Sequence, residues 1–194
     1  MKDIPAGRSL VFERFAAPDG NCSVWPVCGT PRVQLPAFDQ RLLTAPVQLF
    51  GDNVQAPYLL VSVLAPKMVA RGDGVIINVA SRAGTVGQPD TAAYGATKAA
   101  LASLARSWAA EYGPAGIRVN AISPGPVYTN AADREVFDAS AQTTLLGRAA
   151  EPQEIAYLIG FLASPHAAYI TGTNIAIDGG RAAVRQHRRL DRAS

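Results

Sequence analysis

Residues that bind metals or form cross-links are scarce in this sequence. It has two cysteines and two histidines among 194 residues, and both cysteines, Cys22 and Cys28, lie near the N-terminus. No histidine or further cysteine is near enough in sequence to complete a zinc site. We therefore predict two free thiols and no metal centre.

Long hydrophobic runs are also missing. The longest apolar stretches, such as Tyr58 to Pro66, are about half of the roughly 20 residues that a membrane-spanning helix needs. The N-terminus has no hydrophobic region of the kind found in signal peptides. These absences favour a soluble protein without membrane contact, and a cytoplasmic location follows by default.

Charge of one sign accumulates only at the end of the chain. The net charge is +3, and residues 181–194 carry five basic groups and one acidic group. The basic run Arg185 to Arg189 has no interleaved aromatic residues, and a short basic end is usually a solvated terminus. We predict that the protein does not bind nucleic acid.

Regular periodicity is missing from residues 1–48, which contain six of the fourteen prolines, both cysteines and one of the two tryptophans. The chain as a whole is 48% hydrophobic and long enough to bury a sizeable core. We predict three parts: a divergent N-terminal segment over residues 1–48, one domain over 49–180, and a basic tail over 181–194.

One stretch of the sequence brings together a serine, a tyrosine and a lysine. The apolar run Val75 to Val79 predicts a strand from Gly74 to Ser81 that is buried on both faces, as in a parallel sheet. Ser81 would then lie at the carboxyl end of the strand, where open α/β sheets bind ligands. Tyr94 and Lys98 are spaced i, i+4, so on a helix they share one face. A nearby ammonium lowers the pKa of a phenol, which makes tyrosine a usable general acid and base.

With their surroundings, these residues resemble the short-chain dehydrogenase/reductase family. The matching features, in the family's order, are Asn78-Val79-Ala80-Ser81, the Tyr-x-x-x-Lys motif from Tyr94 to Lys98, Val119 to Gly125, and Asp178-Gly179-Gly180. The resemblance extends from about Phe50 to Gly180. It implies an α/β fold with a Rossmann-like, doubly wound parallel sheet. That sheet is expected to be N-terminally incomplete, because the family's first strand, glycine-rich turn and helix have no counterpart in residues 1–48.

The resemblance implies a catalytic set of four residues. Tyr94 would exchange a proton with the substrate oxygen, Ser81 would hydrogen-bond that oxygen, and Lys98 would lower the pKa of Tyr94 and hold the nicotinamide ribose. Asn53 resembles the family's fourth catalytic residue, which holds a water in a proton relay. The alternative interpretation of Asn53 is an ordinary helix N-cap.

The resemblance also implies a nicotinamide cofactor, NAD or NADP, in contact with Tyr94 and Lys98. The segment Pro124-Gly125-x-Val127-x-Thr129 is similar to the family segment that holds the nicotinamide carboxamide. A Pro/Gly turn without a ligand is the alternative. The family's glycine-rich loop, which approaches the cofactor pyrophosphate, is absent from residues 1–48, and no residue that would choose between NAD and NADP can be placed.

Two helices are predicted, over residues 53–69 and 91–112. The first has Pro57 near its start, and its apolar face is predicted to consist of Leu59, Leu60, Val63, Leu64 and Met68. The second can be capped by Asp90 or Thr91, and its core stripe is predicted to be Leu101, Leu104, Trp108 and Tyr112. Because these helices commonly pair between subunits in the family, the resemblance implies a homo-oligomer.

Two functions remain open at this point. The first is oxidoreduction of the short-chain dehydrogenase type, with hydride transfer between the cofactor and a small-molecule alcohol or ketone. The second is a truncated, non-catalytic remnant or scaffold that lacks nucleotide binding. It is kept because residues 1–48 cannot easily supply two βαβ units of about 30 residues or more each. The substrate-covering segment, residues 130–146, names no substrate.

Overall fold

The structure, a computed structural model of the chain, describes residues 47–129 and 134–183, with the backbone alone for residues 134–136. Its strands are β1 (Gly74–Val79), β2 (Ile117–Pro124) and β3 (Asn174–Ile177). Its longer helices are α1 (Ala56–Arg71), α2 (Ala92–Tyr112), α3 (Arg134–Ala141) and α4 (Pro152–Ala163). The predictions for residues 1–46 and for the tail after residue 183 lie outside the described residues.

The strands form one parallel sheet in the order β1-β2-β3. Gly74 pairs with Ile117, and the register continues to Val79 opposite Ile122. Among the described residues, β1 has a neighbouring strand only on its β2 side. The parallel, buried strand predicted from the Val/Ile run is confirmed, but it ends at Val79, so Ser81 lies beyond it.

Alternate residues of the strands face opposite sides of the sheet. Ile76 and Ala80 belong to a core cluster with α1 and α2, whereas Val75 and Ile77 belong to a second cluster with α4. The first cluster is larger and includes Trp108. Helices therefore cover both faces of a parallel sheet, which confirms the doubly wound α/β fold.

Only part of the predicted apolar face of α1 meets the sheet: Met68 is buried and Leu60 and Leu64 are partly buried. The π-helical turn Gly51–Gln55 precedes it, and Pro57 lies in its first turn as expected. Its side chains buried against the sheet are Val61, Ala65 and Met68. Leu59 and Val63, which were predicted to face the core, are 55% and 61% exposed. The helix is apolar nearly all round, so periodicity could not decide which stripe meets the sheet.

Helix α2 has the core stripe that the sequence predicts. Its inward side chains are Leu101 and Trp108, which are buried, and Leu104 and Tyr112, which are partly buried. The predicted capping is wrong, because no side chain caps the first turn. Thr91 lies just before the helix, but its hydroxyl donates to the carbonyl of Gln88 at 3.0 Å.

Helix α4 begins at Pro152, and proline is favoured at the first position of a helix. The N–H of Glu151 donates to Glu154 Oε2 at 2.9 Å, and Arg148 binds both carboxylate oxygens of Glu154 at 2.7 and 2.8 Å. Helix α3 occupies part of the segment 130–146. None of the helices that the structure describes has both the length and the apolar character required to cross a bilayer.

Candidate active site

Ser81 lies at the carboxyl edge of the sheet, two residues after β1. The N–H of Ala80 still donates to the carbonyl of Ile122 on β2, at 2.8 Å. Ser81 Oγ accepts a hydrogen bond from the N–H of Ala83 at 3.2 Å, at the start of the 3₁₀ turn Arg82–Gly84. A serine hydroxyl accepts with its lone pairs and donates its own hydrogen. This contact therefore leaves Ser81 able to donate a hydrogen bond.

Tyr94 and Lys98 lie one turn apart near the start of α2. Lys98 Nζ is 5.7 Å from the centroid of the Tyr94 ring and donates to the carbonyl of Val79 at 3.1 Å. Val79 is the last residue of β1, so the ammonium connects α2 to the strand end that precedes Ser81. The structure thus has the shared helix face that the i, i+4 spacing predicts.

The side chain of Lys98 is almost completely buried, with 2% exposure. Burial lowers its pKa from 10.5 to about 8, because desolvation disfavours the ammonium form. Lys98 therefore stays mostly charged at neutral pH, at a cost in stability. A lysine with a pKa perturbed in this way is typical of functional sites.

Two glycines allow the turn Arg82–Gly84 to contact α2 backbone to backbone. A Cβ on Gly84 would lie 2.7 Å from the backbone nitrogen of Ala99, and a Cβ on Gly95 would lie 2.6 Å from the carbonyl oxygen of Ala83. Only residues without a side chain permit such close approach. The turn that follows the serine therefore packs directly onto the helix that carries the tyrosine and the lysine.

Asn53 is fully buried inside the π-helical turn Gly51–Gln55. The N-cap interpretation is therefore wrong, because Asn53 does not start a helix. Its Nδ2 donates to Thr97 Oγ1 at 3.1 Å, and Thr97 Oγ1 donates to the carbonyl of Tyr94 at 2.8 Å. Thr97 immediately precedes Lys98, so this chain of bonds joins Asn53 to the Tyr94–Lys98 turn. Single π-helical turns frequently occur at functional sites.

Two buried amide oxygens near α2 are not hydrogen-bonded within the described part of the chain: Asn53 Oδ1 and Asn78 Oδ1. Asn78 lies on β1, and its Nδ2 donates to the carbonyl of Leu101 at 3.2 Å. Buried polar atoms almost always have a partner, and exceptions require an explanation. The exceptions here are concentrated on the face of the sheet that carries Tyr94 and Lys98.

The segment Pro124–Thr129 begins at the end of β2, next to the end of β1. The N–H of Gly125 donates to the carbonyl of Ile177 at 3.0 Å. A Cβ on Gly125 would lie 2.8 Å from the Cα of Asp178. Glycine is thus required here by the backbone of the turn that follows β3, and the segment is held against that turn.

Further along the segment, contacts with α3 and with the residues before α4 hold it in place. Val127 forms an isolated parallel bridge with Ala150. The hydroxyl of Tyr128 donates to Asp138 Oδ1 of α3 at 2.5 Å. Thr129 follows with an exposed side chain. All these residues follow the carboxyl end of a strand that neighbours β1, so they lie at the same edge of the sheet as Ser81.

Sequence reasoning missed the side chains that support this edge. Thr97 is one of them, and its only signal is a β-branched hydroxyl residue inside the Tyr-x-x-x-Lys motif. Arg82, Gln88 and Asp178 form a second group of polar side chains, and for Arg82 the signal is a charged residue directly after Ser81. In the part of the chain that the structure describes, no three Asp, Glu, His or Cys side chains cluster as metal ligands would.

A protein-family model described as enoyl-(acyl carrier protein) reductase matches residues 47–182. A tropinone reductase homolog of Arabidopsis thaliana is 41% identical over 137 residues, which are 68% of this chain and 53% of the relative. The chain thus spans about half the length of the curated relatives it matches.

Solved structures agree with this match. A short chain dehydrogenase/reductase family protein is 46% identical with a TM-score of 0.72, and the match covers 80% of this chain and 66% of that one. A 4-hydroxyisoleucine dehydrogenase in complex with NADH is 31% identical with a TM-score of 0.72, covering 81% and 67%. The family model covers more than half of the chain and includes the predicted catalytic set. This chain belongs to the short-chain dehydrogenase/reductase family.

Proposed function

We propose that this chain carries the catalytic part of a nicotinamide-dependent oxidoreductase that interconverts a small-molecule alcohol and a carbonyl compound. One observation carries the proposal. The buried ammonium of Lys98 lies 5.7 Å from the centroid of the Tyr94 ring. Both residues lie at the edge of the parallel sheet where Ser81 follows β1. Burying a charge is costly, and a purely structural role for Lys98 does not explain that cost.

In this proposal, three side chains handle the substrate oxygen. The Tyr94 hydroxyl gives its proton to that oxygen or takes one from it. The Lys98 ammonium favours the phenolate form of Tyr94 by its charge. Ser81 Oγ accepts from Ala83 and donates its own hydrogen to the substrate oxygen. Groups fixed in this way stabilise the charge that develops on oxygen during the reaction.

Asn53 supports the site through its contact with α2. Its bond to Thr97 Oγ1 fixes the turn that carries Tyr94 and Lys98. Its buried Oδ1, which has no partner among the described residues, is an acceptor for the relay that brings a proton to Tyr94 after carbonyl reduction and carries one away after alcohol oxidation. We therefore assign Asn53 to the proton relay.

The edge of the sheet fits the nicotinamide half of NAD or NADP. Lys98 and Tyr94 would hold the ribose, and the segment with Pro124, Gly125, Val127 and Thr129 would hold the carboxamide. Two observations support this fit. Gly125 and Val127 are held by backbone contacts with Ile177 and Ala150, and Thr129 beside them is exposed. When bound, the nicotinamide supplies or accepts the hydride. None of the described residues is assigned to the adenosine half of the cofactor.

A titration with both nucleotides tests the proposal. Full-length protein is mixed with NADH or NADPH, and nucleotide fluorescence and the melting temperature are followed. A ligand that binds only the folded state raises stability by RT ln(1 + [L]/Kd), so we expect a shift with at least one of the two. If neither nucleotide shifts the transition at about millimolar concentration, a range in which stabilisation is measurable for weak binders, the oxidoreductase proposal fails. The non-catalytic scaffold then takes its place.

The proposal includes a homo-oligomer formed through the helices over 53–69 and 91–112. Apolar side chains just before α1, in its first turn and on α2 line an open groove: Val47, Phe50, Val54, Tyr58 and Leu104. Leu59 and Val63 extend this exposed surface, and contiguous apolar patches of this kind mark interaction sites. Sedimentation velocity should give an oligomer for the wild type and a smaller species for Val63→Glu. Equal masses would contradict this interface.

A cytoplasmic location is also proposed, and cell fractionation would check it.

A further inference from the structure

Arg82, the residue directly after Ser81, is buried with only 4% exposure. Burial lowers the pKa of its guanidinium, and the nearby carboxylate of Asp178 opposes that shift. The backbone carbonyl of Arg82 accepts from the N–H groups of Thr85 and Val86 and from the Thr85 hydroxyl. The main chain of Arg82 is thus held by three hydrogen bonds, one residue after the serine.

The side chain of Arg82 closes the loop between the serine and the tyrosine. With the Gln88 amide assigned so that its oxygen faces the guanidinium groups, Gln88 Oε1 accepts from Arg82 Nη2 at 2.6 Å and from Arg181 Nη2 at 3.2 Å. The Gln88 carbonyl accepts from the Thr91 hydroxyl, whose residue leads directly into α2. The Arg82–Gln88 contact therefore joins the two ends of the loop.

Asp178 connects this loop to the rest of the site. Its carboxylate accepts from the N–H groups of Gly180 and Ala182 at 3.0 and 2.8 Å. Its Cα lies where a Cβ on Gly125 would have to go. Asp178 is thus held by its own turn and contacts the segment assigned to the nicotinamide, and its charge opposes the lowering of the Arg82 pKa.

We propose that Arg82 and Gln88 are positioning residues that hold the Ser81 turn in register with Tyr94. This inference rests on the proposed function and adds residues that act through Ser81 and not on the substrate itself. The negative charge of Asp178 attracts the Arg82 guanidinium. The contacts described for Arg82 and Gln88 do not include the side chain of Lys98 or of Asn53, so their loss should disturb serine geometry and leave nucleotide binding intact.

Two substitutions test the role of the cluster in full-length protein. Arg82→Met keeps most of the side-chain volume and removes the guanidinium group. The Asp178 carboxylate keeps its hydrogen bonds from the N–H groups of Gly180 and Ala182. Gln88→Met removes the shared acceptor at a half-buried position. Displacement of a catalytic group by about 1 Å can cost up to about 100-fold in rate, so we expect Arg82→Met to lower kcat by roughly 10- to 100-fold. KM and nucleotide Kd should stay within about twofold, a small change compared with a lost direct contact.

Matched controls are Arg106→Met and Gln153→Met, both at exposed helical positions. Amide hydrogen exchange of residues 81–91 provides a readout that does not depend on activity. We expect faster exchange there in Arg82→Met and Gln88→Met, and not in the controls. Arg82→Lys keeps the positive charge but lacks the planar guanidinium group. It should therefore recover less than half of the kcat that Arg82→Met loses.

The outcomes separate this inference from the proposed function. Lower kcat with unchanged Kd and faster exchange at residues 81–91 supports the positioning role. Unchanged kcat, a loss confined to Kd, or unchanged exchange overturns it. If the wild type itself binds no nucleotide, the proposed function fails. Faster exchange confined to the cluster variants then still supports anchoring of the loop by Arg82 and Gln88, and unchanged exchange overturns that as well.

Discussion

The two faces of the sheet differ in how their buried polar groups are satisfied. On the α4 face, the fully buried Asn120 donates to the carbonyl of Ile170 at 2.8 Å and accepts from the N–H of Thr173 at 3.3 Å. On the face covered by α1 and α2, the equally buried Asn78 donates to the carbonyl of Leu101. Its Oδ1 has no partner within the described ranges 47–129 and 134–183.

Other residues on the α1–α2 face follow the pattern of Asn78. Asn53 Oδ1 also lacks a partner among the described atoms, and Lys98 holds a charge that burial disfavours. Real proteins depart from full local consistency mainly at functional sites. The comparison therefore indicates that the α4 face serves stability, while the α1–α2 face gives up some stability for the chemistry that we propose.

The largest expected effect tests whether the α1–α2 face performs chemistry at all. Tyr94→Phe removes one hydroxyl from a half-buried ring. We expect carbonyl reduction to slow by at least about 10²–10³-fold, as for other groups that stabilise charge on oxygen, with little change in melting temperature. Nicotinamide absorbance measures the rate. Tyr112→Phe, at the opposite end of α2, is the control. A Tyr94→Phe protein that keeps most of its turnover would refute the assignment.

The next effect measures the cost of the buried charge. The pKa of Lys98 is about 8 in the folded state against 10.5 ordinarily, so between these values the unfolded chain binds more protons. Stability of the wild type therefore rises with pH across this window, and the full cost is present below pH 8. Relative to Lys98→Met, we expect the wild type to gain up to roughly 3 kcal/mol from pH 8 to 10.5.

Urea unfolding of both proteins at several pH values measures this difference. Lys67→Met, at an exposed position of α1, controls for the loss of one lysine. A stability difference between wild type and Lys98→Met that does not change with pH would show that Lys98 is not desolvated, and would remove one side of the comparison.

A pair of asparagine substitutions compares the two faces directly. Asn120→Leu removes the shorter of two hydrogen bonds to the carbonyl of Ile170 and the side-chain acceptor of the Thr173 N–H, and we expect a loss of about 1–3 kcal/mol in the free energy of unfolding. Asn78→Leu removes one hydrogen bond, to the carbonyl of Leu101, and an oxygen that already lacks a partner among the described residues, so its loss should be smaller by about 1 kcal/mol. Chemical denaturation measures both. Equal losses would break the comparison.

The smallest effect is expected on the α4 side, at the exposed start of the helix. Arg148 and the N–H of Glu151 lower the pKa of Glu154 from 4.5 to about 2. The stabilisation is therefore complete above pH 4.5 and is lost as the pH falls toward 2. Glu154→Gln should lower the melting temperature slightly at pH 7, less so in high salt, and should leave it unchanged near pH 2. A difference that persists at pH 2 contradicts the ion-pair origin.

Much of the fold could be predicted because local sequence decides it. The Val/Ile run of β1, Gly72 at the C-terminus of α1 and Pro152 at the start of α4 each act over a few residues. The apolar face of α1 could not be predicted, since Leu59 and Val63 are as apolar as the residues that do face the sheet. For the candidate site, the motif residues could be named in advance. Thr97 and Gln88 could not, because their roles depend on partners in other elements.

The sequence by itself determined the element types, the parallel sheet and the family to which the chain belongs, because periodicity and motif spacing are local properties. Only the tertiary structure decided which buried groups are satisfied and which are not. It placed Asn53 in a π-helical turn against Thr97, and Arg82 beside Asp178, 96 positions further along the chain. Such contacts follow from how the strands and helices pack, and packing brings together residues whose separation in sequence carries no signal.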